Sequence, residues 1–304
     1  MCPFLRLGLV VFPIWSTLFG VPGFAADVPM EKRLLLGGDT AKSWSMAEST
    51  MEASSERVKT GKSSLHWHVT VDYNAGEAKY PIGWPRVSHG FLDADRDWSD
   101  WEYLTMWIYT ETSREALPRD PVGLGLHTPD KASAFHRPLS EIKKGEWVEI
   151  SIPLAQLPES NDVRQIQFHI AESNYRHGDT LDLWIDGLSL TRHSVPVVGD
   201  FAAECAVMFS DARSLPIRFQ ILGLRRKALG EVTCELRREG KTAARGVWKV
   251  PRGPQRCVFD LGKEQLAPGD YELVAQIAGG AQSATAKMRV VESPWGISQK
   301  ETGK

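Results

Sequence analysis

Aromatic and planar polar side chains occur at every second position of several short apolar segments. In 103–109, for example, Leu104, Met106 and Ile108 alternate with Trp107 and Tyr109. A period of two places the apolar set on one face of a strand and the other set on the opposite face. A sugar ring has an apolar C–H face, on which Trp or Tyr stacks, and a polar rim that amide, imidazole and guanidinium groups satisfy. These residue types therefore predict carbohydrate binding.

The predicted ligand-binding residues come from this second face and from a Pro- and Gly-containing loop before Trp98. Such loops position side chains on a rigid scaffold. Trp84 would stack on a sugar, and Arg86 would donate two hydrogen bonds to a hydroxyl pair or a carboxylate. The alternatives are that Trp84 plugs the loop and that Trp107 and Tyr109 form a second small core. The full candidate set is Tyr80, Trp84, Arg86, Trp107, Tyr109, His127, His136, Gln167 and His169.

Motifs of common catalytic sites are missing from the sequence. It has no HExxH, GxSxG, P-loop or GxGxxG pattern, and no CxxC pair of the kind that holds structural zinc. His66 and His68 share one strand face, but the other histidines are scattered, which disfavours a metal catalyst. Glu149 and Glu172 are the only plausible hydrolytic pair, and solvated surface acids explain them more simply. The sequence therefore predicts that the chain is not an enzyme, with any activity in another domain or a partner chain.

Residues 1–25 are predicted to be a secretory signal peptide. Arg6 precedes an apolar run, and Gly23 and Ala25 are the small residues of a cleavage site. Pro13 and Pro22 interrupt the run, which disfavours the alternative, a membrane anchor. We expect a mature protein that has no membrane span and is secreted, periplasmic or at the cell surface of a bacterium. The net charge of −2 gives no support to nucleic-acid binding.

Composition changes near residue 193, which predicts two domains. All 8 histidines lie at or before His193, together with most of the 11 tryptophans. Sustained helical periodicity is nearly absent, and short strand-like segments recur on both sides, which favours an all-β chain. We place a linker at 191–200. The predicted units are the signal peptide at 1–25, a first domain at 31–192, a second at 196–293 and a polar tail at 294–304.

Three cysteines remain after the signal peptide, namely Cys205, Cys234 and Cys257. The odd number allows at most one intramolecular disulfide. Burial as small hydrophobic residues is equally favoured.

Four segments of the first domain resemble those of carbohydrate-binding jelly rolls with a galactose-binding-like fold. They begin at Val58, Asp97, Gly145 and Leu183 and have the sequences VKTGKSSL, DWSDWEYLTMWIY, GEWVEISIPL and LWIDGL. The segment LAPGDYEL at 266–273 resembles the turn before a late strand in bacterial Ig-like or fibronectin-like modules, in which Tyr271 would hydrogen-bond back across the corner. The resemblance implies an N-terminal jelly-roll β-sandwich followed by a C-terminal immunoglobulin-like β-sandwich.

The same resemblance implies a secreted, non-catalytic protein that binds a polysaccharide or another glycan, with the Ig-like domain as a spacer. Related jelly rolls often carry a structural Ca²⁺, for which Asp39 and Asp186 would supply oxygens. No other cofactor is expected. One alternative is the N-terminal accessory part of a polysaccharide-degrading glycoside hydrolase or lyase. The other is a structural or protein-docking module at the cell surface, with a cell-surface or enzyme partner.

Overall fold

The computed structural model describes residues 28–75, 83–129, 134–262 and 265–295. The predicted signal peptide, the candidate Tyr80 and residues 296–304 of the predicted tail lie outside the described residues. Among the described residues, no helix has the length and apolar composition that crossing a membrane requires. Three single 3-10 turns, at Asp93–Asp95, Leu154–Gln156 and Glu172–Asn174, accompany the strands.

The strands before residue 194 form two antiparallel sheets. In chain order these strands are β1 (Met30–Leu36), β2 (Trp44–Ala47), β3 (Thr50–Ser54), β4 (Ser64–Thr70), β5 (Arg86–Gly90), β6 (Tyr103–Thr112), β7 (Gly123–His127), β8 (Phe135–Pro138), β9 (Trp147–Pro153), β10 (Gln165–His169) and β11 (Thr180–His193). Sheet 1 has the order β3-β4-β11-β6-β9, and β1 also pairs with β11. Sheet 2 has the order β2-β5-β10-β7-β8.

The predicted apolar parity forms the core between these two sheets. Trp67 of β4, Ile108 of β6 and Ile150 of β9 come from sheet 1, and they pack in one cluster with Leu124 of β7 and Phe168 of β10 from sheet 2. All five side chains are fully buried. Removal of this apolar surface from water is the main force that holds the two sheets together.

The strands after residue 196 form two further sheets around a second apolar cluster. They are β12 (Val197–Ala203), β13 (Val207–Phe209), β14 (Ser214–Leu222), β15 (Leu229–Arg238), β16 (Lys241–Pro251), β17 (Gly253–Asp260), β18 (Gly269–Ile277) and β19 (Ala284–Val291). Sheet 3 has the order β12-β14-β17, and sheet 4 has the order β13-β19-β18-β15-β16. Only the β13–β19 pair among the described strands is parallel.

The predicted all-β sandwich fold is thereby confirmed. In the second half of the chain, the structure also answers the predictions about Tyr271 and about the three cysteines. The Tyr271 hydroxyl donates a hydrogen bond to the carbonyl of Ala267 at 2.9 Å, as the turn motif predicts. Cys205, Cys234 and Cys257 are all free, and Cys234 is buried in the second core. The jelly-roll and Ig-like names and the domain bounds stay predictions.

Glu102 joins the two halves of the chain. One of its carboxylate oxygens accepts hydrogen bonds from the His193 backbone N–H at 2.9 Å and from the His193 ring at 2.7 Å. The other oxygen accepts the backbone N–H of Gly223, which lies beyond β14. Burial raises the pKa of Glu102, but the hydrogen bonds from His193 and Gly223 outweigh burial and lower it. The junction is therefore held by a buried, ionised carboxylate.

Two strands begin in segments that were predicted to lack strand structure. β12 begins at Val197, inside the segment 191–200 that was predicted to be a linker. β5 begins at Arg86, which was predicted to belong to a loop. With only five residues, β5 is too short for its alternation to stand out from the neighbouring loop.

Candidate functional site

The predicted ligand-binding residues lie on two opposite faces of the first sandwich, so they do not form one site. Trp107 and Tyr109 point outward from β6 of sheet 1. The candidates on the outer side of sheet 2 are Arg86, His127, His136, Gln167 and His169. Equal parity along separate strands places residues outside the core, but it does not say which sheet they belong to.

On sheet 1, the outward side chains are aromatic and charged. We call the following set the sheet 1 face: His66, His68, Trp107, Tyr109, Trp147, Asp182 and Trp184. Lys59 covers the Trp107 ring, with its Nζ 4.1 Å from the ring centroid. The Arg57 guanidinium lies 4.4 Å from the centroid of the Tyr109 ring. Each of these two aromatic rings thus has a cation over one face.

Asp186 holds in place the loop that carries these two cations. Its Oδ2 accepts the backbone N–H groups of Lys59 at 2.8 Å and Thr60 at 2.7 Å, and its Oδ1 accepts the Thr60 hydroxyl at 2.8 Å. The Asp39 carboxylate accepts the Ser63 hydroxyl at 3.2 Å in the same region. These donors use the Asp186 oxygens that a cation would need. Calcium binding by Asp39 and Asp186 stays a prediction.

His66, His68 and Asp182 meet on the sheet 1 face. His66 Nε2 lies 2.8 Å and His68 Nδ1 lies 2.7 Å from the same oxygen, Asp182 Oδ1. The hydrogen bond to Asp182 raises the pKa of His66, although burial opposes the rise. The sequence pairs the two histidines on one strand face but gives no sign of Asp182, because β4 and β11 are far apart in the chain and pair only in the folded sheet.

The outer side of sheet 2 is made of small and planar polar residues. Arg86, His169 and Gly123 lie opposite one another on adjacent strands, as do Ser88, Gln167 and Gly125 on the next row. We call the following set the sheet 2 face: Arg86, Ser88, Gly90, Gly123, Gly125, His127, His136, Gln165, Gln167 and His169. The Gly and Ser positions lie on β5 and β7, on either side of the Gln and His side chains of the central β10, and the rings of His169 and His136 pack over Gly123.

Trp84 stands at one end of the sheet 2 face and is half-buried. Its ring lies 5.7 Å from the His169 ring, edge to face. The Arg86 guanidinium lies 4.8 Å from the Trp84 ring centroid and donates to the Trp84 carbonyl at 3.1 Å. The Trp84 backbone N–H donates to Glu48 Oε2 at 2.6 Å. These contacts fix the orientation of the ring.

His169 and His127 of the sheet 2 face are held in the neutral state. Burial, reinforced by the neighbouring His136 and His127, lowers the pKa of His169 to about 4. Burial also lowers the pKa of His127, against a hydrogen bond with the Gln167 side chain. His136 Nε2 lies 3.1 Å from His169 Nε2. A neutral imidazole both donates and accepts a hydrogen bond, which suits a sugar hydroxyl.

Two glycines of the sheet 2 face differ in how closely histidine side chains pack over them. A Cβ atom on Gly123 would collide with the His169 ring, so this position must stay a glycine while His169 keeps its place. A Cβ atom on Gly125 would meet His127 Nε2 at an ordinary contact distance of 3.6 Å. Gly125 is therefore not required by packing.

Glu149 and Glu172, the predicted pair of carboxylates, are on different sides of the sandwich. Glu149 lies opposite Trp107 on sheet 1, whereas Glu172 is buried beside Gly83 at the end of sheet 2. Glu48, which the sequence did not single out, lies against the same glycine. Burial raises the pKa of Glu172, and the nearby Glu48 adds to the rise. The carboxylate that accompanies Glu172 is thus Glu48.

Comparison with known proteins gives matches to solved structures only. No protein-family model and no curated protein matches the chain. One similar structure is a β-1,2-glucanase from Parabacteroides distasonis, with 12% identity and a TM-score of 0.37 over 87% of this chain and 37% of that chain. Another is the glycoside hydrolase domain of Endo-D from Streptococcus pneumoniae R6, with 12% identity and a TM-score of 0.29 over 81% and 37%. A third is an exo-β-agarase, with 7% identity and a TM-score of 0.38 over 53% and 24%.

These matches correct one prediction. The chain was predicted not to be an enzyme, but the structures that it resembles carry the names of glycoside hydrolases, so that prediction is wrong as it stood. The matches agree with a carbohydrate-related β-sandwich protein. The chain spans between 24% and 37% of the length of these three structures.

Proposed function

We propose that this chain is the carbohydrate-binding accessory part of a polysaccharide-degrading glycoside hydrolase, and that the sheet 2 face is its sugar site. The observation that carries the proposal is the half-exposed Trp84 ring, fixed by Arg86 at the end of a face of Gly, Ser, Gln and His residues. Outward strand positions in soluble proteins are more often occupied by Lys, Glu and Thr. The proposed site keeps six candidates: Trp84, Arg86, His127, His136, Gln167 and His169.

The chemistry of this face suits a chain of sugar rings. A flat indole ring stacks on the C–H face of one ring, and burial of that apolar surface is the main source of affinity. Arg86 offers a planar group that hydrogen-bonds a pair of hydroxyls, and Gln167 lies buried beneath, hydrogen-bonded to His127.

The sheet 1 face is the less favourable surface for a sugar. Lys59 and Arg57 cover Trp107 and Tyr109, and Asp186 keeps their loop in place. Arg86 also lies over the Trp84 ring, but it belongs to β5, whereas Lys59 and Arg57 belong to a loop that is tied to a buried carboxylate, and opening that loop would break these hydrogen bonds. The proposal therefore leaves Trp107 and Tyr109 out of the site.

We extend the proposal to the rest of the chain. Sheets 1 and 2 are assigned to a galactose-binding-like jelly roll, and sheets 3 and 4 to an Ig-like spacer that carries it. The protein is assigned a place outside the cytoplasm, on the basis of the predicted signal peptide. The names of the similar structures, which act on glucans and agar by their titles, support polysaccharides as the ligand class.

The test is a glycan array followed by calorimetric titration of the best polysaccharide, with β-1,2-glucan and agar oligosaccharides on the array. Trp84→Ala is expected to weaken binding at least about tenfold, which equals about 1.4 kcal/mol. Trp107→Ala is the matched control on the opposite face and is expected to leave the affinity unchanged. A blank array with folded protein, or a loss in Trp107→Ala without one in Trp84→Ala, contradicts the proposal.

A further inference from the structure

We propose that His66, His68 and Asp182 form a binding site for a divalent transition metal of the zinc class on the sheet 1 face. The site is independent of the sugar site on sheet 2. Its three ligand atoms all lie within 4.8 Å of one another. Among the described residues, these are the three His, Cys, Asp or Glu side chains whose ligand atoms come this close together. Two imidazole nitrogens and a carboxylate oxygen are donors that zinc prefers.

The ligands are positioned by adjacent strands. His68 lies directly opposite Asp182, and His66 is one pleat further along β4 on the same face. Both ring nitrogens already point at Asp182 Oδ1, at 2.7 and 2.8 Å. A metal at the usual ligand distances of about 2.0–2.2 Å fits between these atoms after they separate by a few tenths of an ångström. The three side chains are partly exposed, so an ion reaches them from solvent.

The nitrogens that face away from Asp182 have partners suited to an outer shell. His68 Nε2 lies 3.2 Å from the Thr70 hydroxyl, and His66 Nδ1 lies 3.7 Å from Glu52 Oε1. Such contacts fix the tautomer of a histidine ligand and increase its basicity. The His66 ring is also stacked on Trp184, with centroids 4.4 Å apart and planes 4° apart. The site is therefore rigid apart from the ends of its polar side chains.

The net charge of the cluster and of its neighbours favours the binding of a cation. Two neutral imidazoles and one carboxylate bind a divalent ion with one positive charge left over. Glu52 faces the cluster from β3, and Arg57, which packs against Trp184, is paired with Glu111 at 3.6 Å. Three protein ligands leave further coordination positions open, as in zinc sites that also bind water or a ligand group.

The test is a calorimetric titration of the purified protein with ZnCl2 at neutral pH. We expect one equivalent to bind, and a rise in Tm with added zinc. Asp182→Asn and His68→Ala are expected to lower the affinity by about a hundredfold, and Thr70→Val by about tenfold. His136→Ala is the matched control, because His136 and His169 form the other close histidine pair of the first sandwich.

Co²⁺ as a spectroscopic probe separates this site from the free cysteines. The proposal predicts a cobalt spectrum without a thiolate charge-transfer band, and that spectrum disappears in Asp182→Asn. Metal-free thermal melts check that each variant is folded, and Asp182→Asn decides the case if His68→Ala does not fold. Absence of zinc binding by the folded wild type, a thiolate band, or unchanged affinity in Asp182→Asn overturns the proposal. Glycan binding, measured in Asp182→Asn, His68→Ala and Thr70→Val, is expected to stay intact.

Discussion

The two outer faces of the first sandwich have similar residue types but differ in what covers them. The sheet 1 face has aromatic rings under Lys59 and Arg57, and its polar groups are matched with one another. The sheet 2 face has Gln and His side chains on its central strand, with Gly and Ser beside them, and one fixed indole at its end; burial keeps His169 and His127 neutral. The comparison shows that the residue types of an outward strand face do not by themselves identify a ligand site, because on sheet 1 a loop fixed by Asp186 lies over the aromatic rings.

The largest effect is expected from Asp186→Ala, which removes the acceptor that holds the loop over the sheet 1 face. Asp186 is buried and accepts hydrogen bonds from Lys59 and Thr60, so we expect a loss of about 3 kcal/mol in the free energy of unfolding. Urea denaturation measures this loss.

The same variant separates two roles for Asp186. If the Asp186 carboxylate only accepts the hydrogen bonds of the loop, the variant loses the same free energy of unfolding with and without Ca²⁺. If it binds calcium, added Ca²⁺ stabilises the wild type and not the variant. Glycan binding is expected to remain in either case. Its loss would contradict the assignment of the sugar site to the sheet 2 face alone.

An intermediate effect is expected from acidification of the sheet 2 face. The pKa of His169 is about 4 in the folded protein, against about 6.5 for an unperturbed histidine. As the pH falls, His169 is therefore protonated in the unfolded chain before it is protonated in the folded protein. The free energy of unfolding consequently falls as the pH drops from about 6.5 towards 4. Because the ring is only partly buried, we expect His169 to account for about 1–2 kcal/mol of this fall.

Replacement of His169 by Gln tests this assignment. Urea denaturation at pH 7 and pH 4.5 is expected to show a smaller loss of stability in His169→Gln than in the wild type. His177→Gln, at an exposed histidine, is the control and is expected to keep the wild-type loss. An equal pH dependence in His169→Gln and the wild type would show that the ring is not held neutral.

The smallest effect is expected from Lys59→Met. This change removes the ammonium group from the Trp107 ring but keeps the backbone N–H that Asp186 accepts. We expect a loss of about 0.5–1 kcal/mol in unfolding free energy, with glycan affinity unchanged. Lys62→Met, at an exposed position of the same loop, is the control. A gain in glycan affinity on uncovering Trp107 would assign sugar binding to the sheet 1 face.

The elements and the core were largely predictable from the sequence. The alternation in 103–109 located β6 and gave its correct buried side, because the period of two is a local property of the chain. Strands with few apolar residues, such as β5, carry a weaker signal. Tyr271 was also predicted correctly, since its partner Ala267 lies only four residues away.

The grouping of the site residues was not predictable, because it depends on pairings between distant segments. Trp107 and His169 have equivalent outward positions in their strands, yet sheet order puts them on opposite sides of the molecule. Asp182 joins His66 and His68 only through the β4–β11 pairing. Glu48 lies beside Glu172 because their two turns meet at Gly83. None of these contacts leaves a spacing signal in a single sequence.

The most direct test of the sugar site uses the indole N–H signals of the tryptophans in an NMR titration with the polysaccharide selected on the array. Ring stacking changes the magnetic environment of the indole that takes part in it, and assignment needs only single Trp→Phe variants. The account predicts that the Trp84 signal shifts with added ligand while those of Trp107 and Trp147 do not. A shift of Trp107 or Trp147 with Trp84 unmoved would contradict it.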